Sequence, residues 1–328
     1  MPTAHTSTFA SLSIPNYRLF FIGATASNIG QWMARTAIGW LVLMQLTDAN
    51  AQALGWVTSL NFLPALVLAP IAGSVADRFP KRDIMSIAQI NMAVSALLLS
   101  TLVITGSVEL WHVFAISLWD GISAAFDGPA RQALASEIVP HELLSNAISL
   151  NSASFNMARL VGPGAAGVLI AAMGTGHVIA INVLTFITLI VCTRMMNPDQ
   201  MHTARAKKGS GSMRQGLAYI RRRADLVVLL VVAFMMGTFG FNFAISNAVM
   251  ATQAFGKGAG EYGMLGSWMG IGSLLAALGA ARRRPRIRFV LLSLFGFSLA
   301  MIISALSPSY WLFAVLLVPI GFCAVTSL

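Results

Sequence analysis

The stretch LGWVTSLNFLPALVLAPIAGSVADRFPKR, residues 54–82, changes character once. Its first part stays apolar for about the 20 residues that a helix needs to cross ~30 Å of hydrocarbon. Its end, Asp77–Arg82, then packs one acid and three bases into six residues of a chain that is 57% hydrophobic and 10% charged. A spanning helix followed by a short basic loop is a topology signal, because Lys and Arg are retained on the cytoplasmic side.

The same alternation runs through all 328 residues. Apolar spans are read at Tyr17–Leu46, Leu54–Ala76, Ile84–Ile104, Leu110–Leu134, Leu143–Ala172, His177–Arg194, Leu226–Met250, Tyr262–Ala281, Phe289–Leu306 and Trp311–Leu328. The fold class is therefore an all-α polytopic membrane protein with about ten helices present. Of the 21 Lys and Arg, all but Arg35, Arg159 and Lys257 fall on one side of the spans. That bias puts the N-terminus in the cytoplasm. Trp56, Trp111, Tyr262, Tyr310 and Trp311 gather at the opposite face, where an aromatic belt belongs. A net charge of +10 spread over short loops marks orientation rather than a nucleic-acid groove, so no nucleic acid is expected.

The one long connection divides the chain. Residues 1–195 read as a six-helix bundle, 196–225 as a cytoplasmic linker ending in an amphipathic helix (Met213, Leu217, Ile220 among bases), and 226–328 as a partial second bundle. A shift of 208 residues lays Leu19 on Val227, Gly55 on Gly263 and the basic loop at 77–82 on the basic stretch at 285–290. Apolar runs overlay apolar runs, as in transporters built from parallel repeats. On that repeat the second bundle is incomplete, and a full one calls for roughly 80 further residues.

Polar side chains in a membrane core are costly and mark candidate sites. Asn28, Gln31 and Arg35 share one face of the first span. Asp120, Ser123, Asp127 and Arg131 repeat the pattern in the fourth, and Ser149, Ser152, Asn156 and Arg159 in the fifth. At ~1.5 Å per residue, Arg35, Asp120 and Arg159 reach one level near the midplane. They are read as lining a central cavity with two bases against one acid, which favours an acidic cargo. The competing reading is a structural ion network locking the three helices. Asp120 is the candidate proton carrier, provided that alternating access separates it from its arginines. Asp127 is the second candidate, and also the natural i, i+4 partner of Arg131. In RLVGPGAAG (159–167), Gly162, Pro163 and Gly167 serve either a gating kink or close helix packing. GSWMG (266–270) reads as packing.

Catalytic and metal chemistry finds no footing. His5, His112, His141, His177 and His202 are scattered over both sides, Cys192 and Cys323 lie inside apolar spans, and no Walker loop or Ser/His/Asp set is present. No enzyme activity, metal or cofactor is expected.

These residues resemble a known family. GSVADRFPKR is similar to the motif A loop of the major facilitator superfamily, with Pro80 where a glycine is more usual. RLVGPGAAG resembles the superfamily's helix 5 antiporter motif. NYRLFFIGATASNIGQWMARTAIGWLV (16–42) and AFDGPARQALASEIVP (125–140) resemble the branch holding the enterobactin exporter and related secretion permeases. The resemblance implies two six-helix bundles, alternating access and proton-coupled efflux of a small siderophore- or drug-like molecule by a monomer in the lipid bilayer. It also implies gating roles for Gly73, Asp77, Arg78 and Arg82, with Arg131 as the partner of Asp77. Arg35 stands where many drug antiporters carry an acid, which turns the expectation from cationic drugs towards acidic cargo. Alternatives are an importer or lipid flippase on the same fold, and a non-transporting fragment.

Overall fold

The computed structural model describes residues 9–48, 50–201, 219, 221–240, 242–280 and 287–327. Most of the expected linker and its amphipathic helix, and most of the basic stretch near 285, lie outside them. Among the described residues all regular structure is helical. The helices are α1 (Pro15–Trp40), α2 (Ala51–Arg78), α3 (Lys81–Ile104), α4 (Leu110–Glu137), α5 (Leu144–Met173), α6 (Thr175–Met195), α7 (Ala224–Met235), α8 (Phe243–Val249), α9 (Ala259–Ala280), α10 (Ile287–Ala305) and α11 (Tyr310–Thr326).

Local chemistry sets their ends. Pro15 occupies the first turn of α1, where its missing N–H costs nothing. Asn50 caps α2, its side chain accepting from the Gln52 and Ala53 backbone N–H groups at 2.9 and 3.2 Å. The joint between α5 and α6 is the single residue Gly174, whose φ of 86° is open to glycine at little cost. Four described segments are long and apolar enough alone to cross a bilayer: Ala51–Arg78, Lys81–Ile104, His141–Met173 and Thr175–Met195. α1 and α4 carry the polar stripes noted above, which lowers their hydropathy.

The span read as continuous over Leu226–Met250 is broken. A π-helical turn, Met236–Gly240, follows α7, and a second, Met250–Ala254, follows the short α8. The glycines of GTFG supply no side-chain packing to hold regular α geometry, and π turns often sit where a helix passes a functional cavity.

α1 packs on α5 and α6, α2 on α4, α3 on α4 and α6, α9 on α5 and α11, and α10 on α11. The α5–α9 contact is the main seam between the first six helices and the later ones, and small residues make it close. A Cβ on Gly263 would stand 2.3 Å from the Pro163 carbonyl oxygen, one on Gly167 2.6 Å from that of Ala259, and one on Gly270 2.5 Å from the Leu160 Cα. Ser267 Oγ donates to the Leu160 carbonyl at 2.6 Å across the same seam. α5 continues as one helix through Pro163 to Met173. Gly162, Pro163, Gly167, Gly266 and Gly270 thus all take part in close packing.

Gly263→Val is accordingly expected to force α5 and α9 apart and to remove most monodisperse protein on size exclusion. Gly73→Ala is the matched control: nothing lies within 4 Å of its added Cβ, so the folded yield should be unchanged.

Candidate functional site

A cavity of about 310 Å³ is lined by α1, α2, α3, α4, α5, α6, α8 and α9. Its lining holds Gln31, Trp32 and Arg35 from α1, Asn61 and Phe62 from α2, Asp120 from α4 and Arg159 and Pro163 from α5. Asn182 and Phe186 come from α6, Asn247 from α8 and Tyr262 from α9. Close helix approach builds these walls. Gly121, beside Asp120, lets α2 in: a Cβ there would lie 2.5 Å from the Asn61 carbonyl oxygen. Gly39 makes room for the Tyr262 hydroxyl, and the Tyr262 ring stacks on Trp40 at 6.0 Å and 27°. α8 touches both α1 and α2, so the cavity closes against the second half of the chain there.

Arg35, Asp120 and Arg159 are brought to one cavity, but not as mutual ion pairs. Asp120 Oδ1 accepts a hydrogen bond from Ser95 Oγ of α3. The arginines lean on aromatic faces instead. The Arg35 guanidinium lies 5.3 Å from the centre of the Trp32 ring and 5.4 Å from that of Phe62, and Arg159 lies 5.7 Å from Trp32. Cation–π attraction is worth about 0.5–2 kcal/mol per contact, more when water is excluded. Both guanidiniums therefore keep their N–H edges available to something else. Sequence reasoning missed Trp32 and Phe62, because an aromatic residue in an apolar span looks like ordinary packing. It also passed over Asn247, which shares its span with the polar residues Thr238, Asn242 and Ser246. Of these, Asn242 and Ser246 spend their polar groups on helix carbonyls, Asn242 Nδ2 on Thr238 O at 2.7 Å and Ser246 Oγ on Asn242 O at 2.9 Å.

Asp127 and Asn28 sit elsewhere, in a buried network joining α1, α3 and α4. Arg131 Nε donates to Asp127 Oδ2 at 3.1 Å, its Nη1 to Asn28 Oδ1 at 3.1 Å, and Gln89 Nε2 to Asp127 Oδ1 at 2.8 Å. Arg131 Nη2 also stands 3.0 Å from Asp127 Oδ2, an ion contact not aligned as a hydrogen bond. Ser27 Oγ reaches Gln89 Oε1 at 3.5 Å and receives Gln31 Nε2 at 3.1 Å, so the network runs up to the cavity lining. Asn156 is buried and donates to the Ser152 carbonyl of its own helix at 2.9 Å, outside the cavity.

The expected partnership of Arg131 with Asp77 is corrected by this geometry. Asp127 is one turn away on the same helix and buried with Arg131, whereas Asp77 and Arg78 are exposed at the end of α2. The loop is tied to α4 by Lys81 Nζ and Glu137 Oε1 at 3.1 Å, and to α6 by Arg82 Nη2 donating to the Arg194 carbonyl at 2.5 Å. Gly73 is half-buried in open surroundings.

The family model of the transmembrane secretion effectors matches residues 6–328. The chain belongs to the major facilitator superfamily. Among its relatives, an uncharacterized MFS-type transporter of Bacillus subtilis is 27% identical over 79% of this chain and 62% of its own length. The staphyloferrin A transporter of Staphylococcus aureus is 22% identical over 80% of this chain and 66% of its own. Macrolide efflux protein A of Streptococcus pyogenes is 23% identical over 89% and 74%. The chain thus spans somewhat under two thirds of the length of the first two. The fold is also that of the D-xylose-proton symporter, with a TM-score of 0.67 and 13% identity over 97% of this chain and 80% of that one. A bacterial homologue of the lysosomal transporter Spinster gives 0.64 and 16% over 94% and 72%. This major facilitator chain is a multi-pass membrane protein of a transporter family, not an enzyme.

Proposed function

We propose that the chain is a secondary active transporter that moves a small acidic, siderophore- or drug-like molecule outwards, in exchange for protons, by alternating access. One observation carries the reading: two arginines and one aspartate line a single cavity, with the guanidiniums resting on aromatic rings rather than on a carboxylate. Such a cavity has a net positive charge in a low-dielectric setting, where an anion is attracted strongly and a cation repelled. Arg35 and Arg159 bind the cargo anion, Asp120 carries the proton, and Gln31 links the cavity to the buried network around Asp127. Gly73, Asp77, Arg78 and Arg82 act at the cytoplasmic gate, and the close α5–α9 seam is the surface on which the two halves rock. The protein works as a monomer in the bacterial inner membrane with its N-terminus in the cytoplasm. The relatedness to a staphyloferrin A transporter supports a small-molecule cargo, and that to a macrolide efflux protein supports outward movement.

Purified chain in liposomes with an imposed pH gradient tests this. Added organic acids should collapse the gradient, read by a trapped pH dye, and uncharged analogues should not. Trp32→Leu removes the shared support of both arginines, and should weaken half-saturation by the acid roughly tenfold with the protein folded. An unchanged half-saturation would remove Trp32 from the site.

A further inference from the structure

Tyr262 of α9 lines the cavity and is 7% exposed. Its backbone N–H donates to the Gly258 carbonyl at 3.0 Å, but its hydroxyl has no hydrogen-bond partner among the described residues. The other tyrosines differ. Tyr17 Oη donates to the Ala147 carbonyl and Tyr310 Oη to that of Glu261, each at 2.8 Å, and Tyr219 Oη accepts from Arg223 Nη1 at 3.3 Å. A buried hydroxyl left without a partner costs about 1–3 kcal/mol, and a phenylalanine would fill the same wall without that cost.

The hydroxyl also has open space beside it. Among the described residues, the side-chain polar atoms that are both sealed from any surface and unbonded are Arg82 Nε, Arg131 Nη2 and Asn247 Oδ1. The Tyr262 hydroxyl is unbonded without being sealed, and its residue lines the cavity. Gly39, also in the lining, accommodates it. A Cβ there would stand 2.7 Å from Tyr262 Oη but 3.7 Å from the ring carbon Cζ, so the missing side chain makes room for the oxygen in particular. Gly39 follows Arg35 by four residues in α1, which puts the two positions on one face about 5–6 Å apart. The Arg35 guanidinium leans the other way, onto Trp32. Much of the remaining lining is apolar, Phe62, Phe186 and Met269 included.

Resting on the anionic-cargo reading above, we infer that Tyr262 is a specificity-determining residue, whose hydroxyl donates a hydrogen bond to the end of the cargo opposite a carboxylate held by Arg35 and Arg159. The cargo class is an amphipathic carboxylate with an apolar body and a carbonyl or hydroxyl oxygen at its far end. An acid with only hydrocarbon beyond its carboxylate leaves the phenol unpaired. A site built to hydrogen-bond a polar group rejects an analogue that lacks it.

The para-acetyl and para-isopropyl benzoates make a matched pair of probes, alike in charge and outline, of which only the first carries a carbonyl oxygen opposite its carboxylate. Binding of each to the full chain in lipid nanodiscs is measured by calorimetry. The wild-type chain is expected to prefer the acetyl probe by about fivefold. Tyr262→Phe should lose that preference by weakening the acetyl probe alone, whereas Arg35→Gln should weaken both alike. Because no described residue bonds the hydroxyl, Tyr262→Phe without cargo should unfold at the wild-type temperature. Equal binding of the two probes by wild type, a preference that persists in Tyr262→Phe, or a lowered unfolding temperature in that variant overturns the assignment of Tyr262 alone. Binding of neither probe, or binding of both undiminished in Arg35→Gln, overturns the anionic-cavity reading and this inference with it.

Discussion

Asp120→Asn is expected to reduce proton-driven efflux to background while leaving the folded yield intact. Asparagine keeps the size and the capacity to accept from Ser95, so packing of α3 against α4 is preserved. What it loses is the ability to gain and release a proton in the same cavity as Arg35 and Arg159. An acid in a membrane core is expensive to maintain, which makes its exchange of a proton the natural function to test. Passive exchange of labelled cargo, with no pH gradient, should persist in this variant, because the arginines still bind the anion. Coupled transport at full rate in Asp120→Asn would falsify the proton-carrier assignment. Simultaneous loss of passive exchange would instead place Asp120 in cargo binding or in structure.

Asp127→Leu should be the most damaging single change within the buried polar network. It leaves Arg131 buried beside Asn28 with its countercharge gone, and breaking one side of a buried pair costs about 3–5 kcal/mol. Gln89 would lose its acceptor at the same time. The double change Asp127→Leu with Arg131→Met removes both charges, and is expected to recover most of the loss, since an apolar replacement of a buried pair is often neutral. Thermal unfolding in detergent, followed on size exclusion, reads both effects. Glu137→Ala, at the more accessible Lys81 pair, should cost clearly less. A double variant no more stable than Asp127→Leu alone would mean that the network acts through its hydrogen bonds to α1 and α3 rather than through its charges.

Much of this was legible in the chain itself. Hydropathy and the one-sided placement of Lys and Arg identify a polytopic helical protein, because the bilayer demands long apolar helices whatever their tertiary arrangement. The helical period then put Arg35, Asp120 and Arg159 at one depth, and the cavity does collect all three. Period and depth could not say which faces meet. Asp127 shares a helix with Asp120, two turns along, yet packs against α1 and α3 instead of the cavity. Arg131 could be matched with either Asp127 or Asp77 on paper, and the nearer, co-buried carboxylate takes it. The interruption of Leu226–Met250 carried only weak signals in its glycines, since apolar composition favours a continuous span.

The sequence by itself determined the membrane class, the number and order of most helices, and the presence of costly polar groups at mid-depth. Only the tertiary structure decided how those groups are used. Trp32 becomes a support for two guanidiniums, and Pro163 with its glycines becomes a seam against α9. The physical reason is that the cost of a polar group in the membrane belongs to the residue, whereas the partner that offsets it comes from another helix.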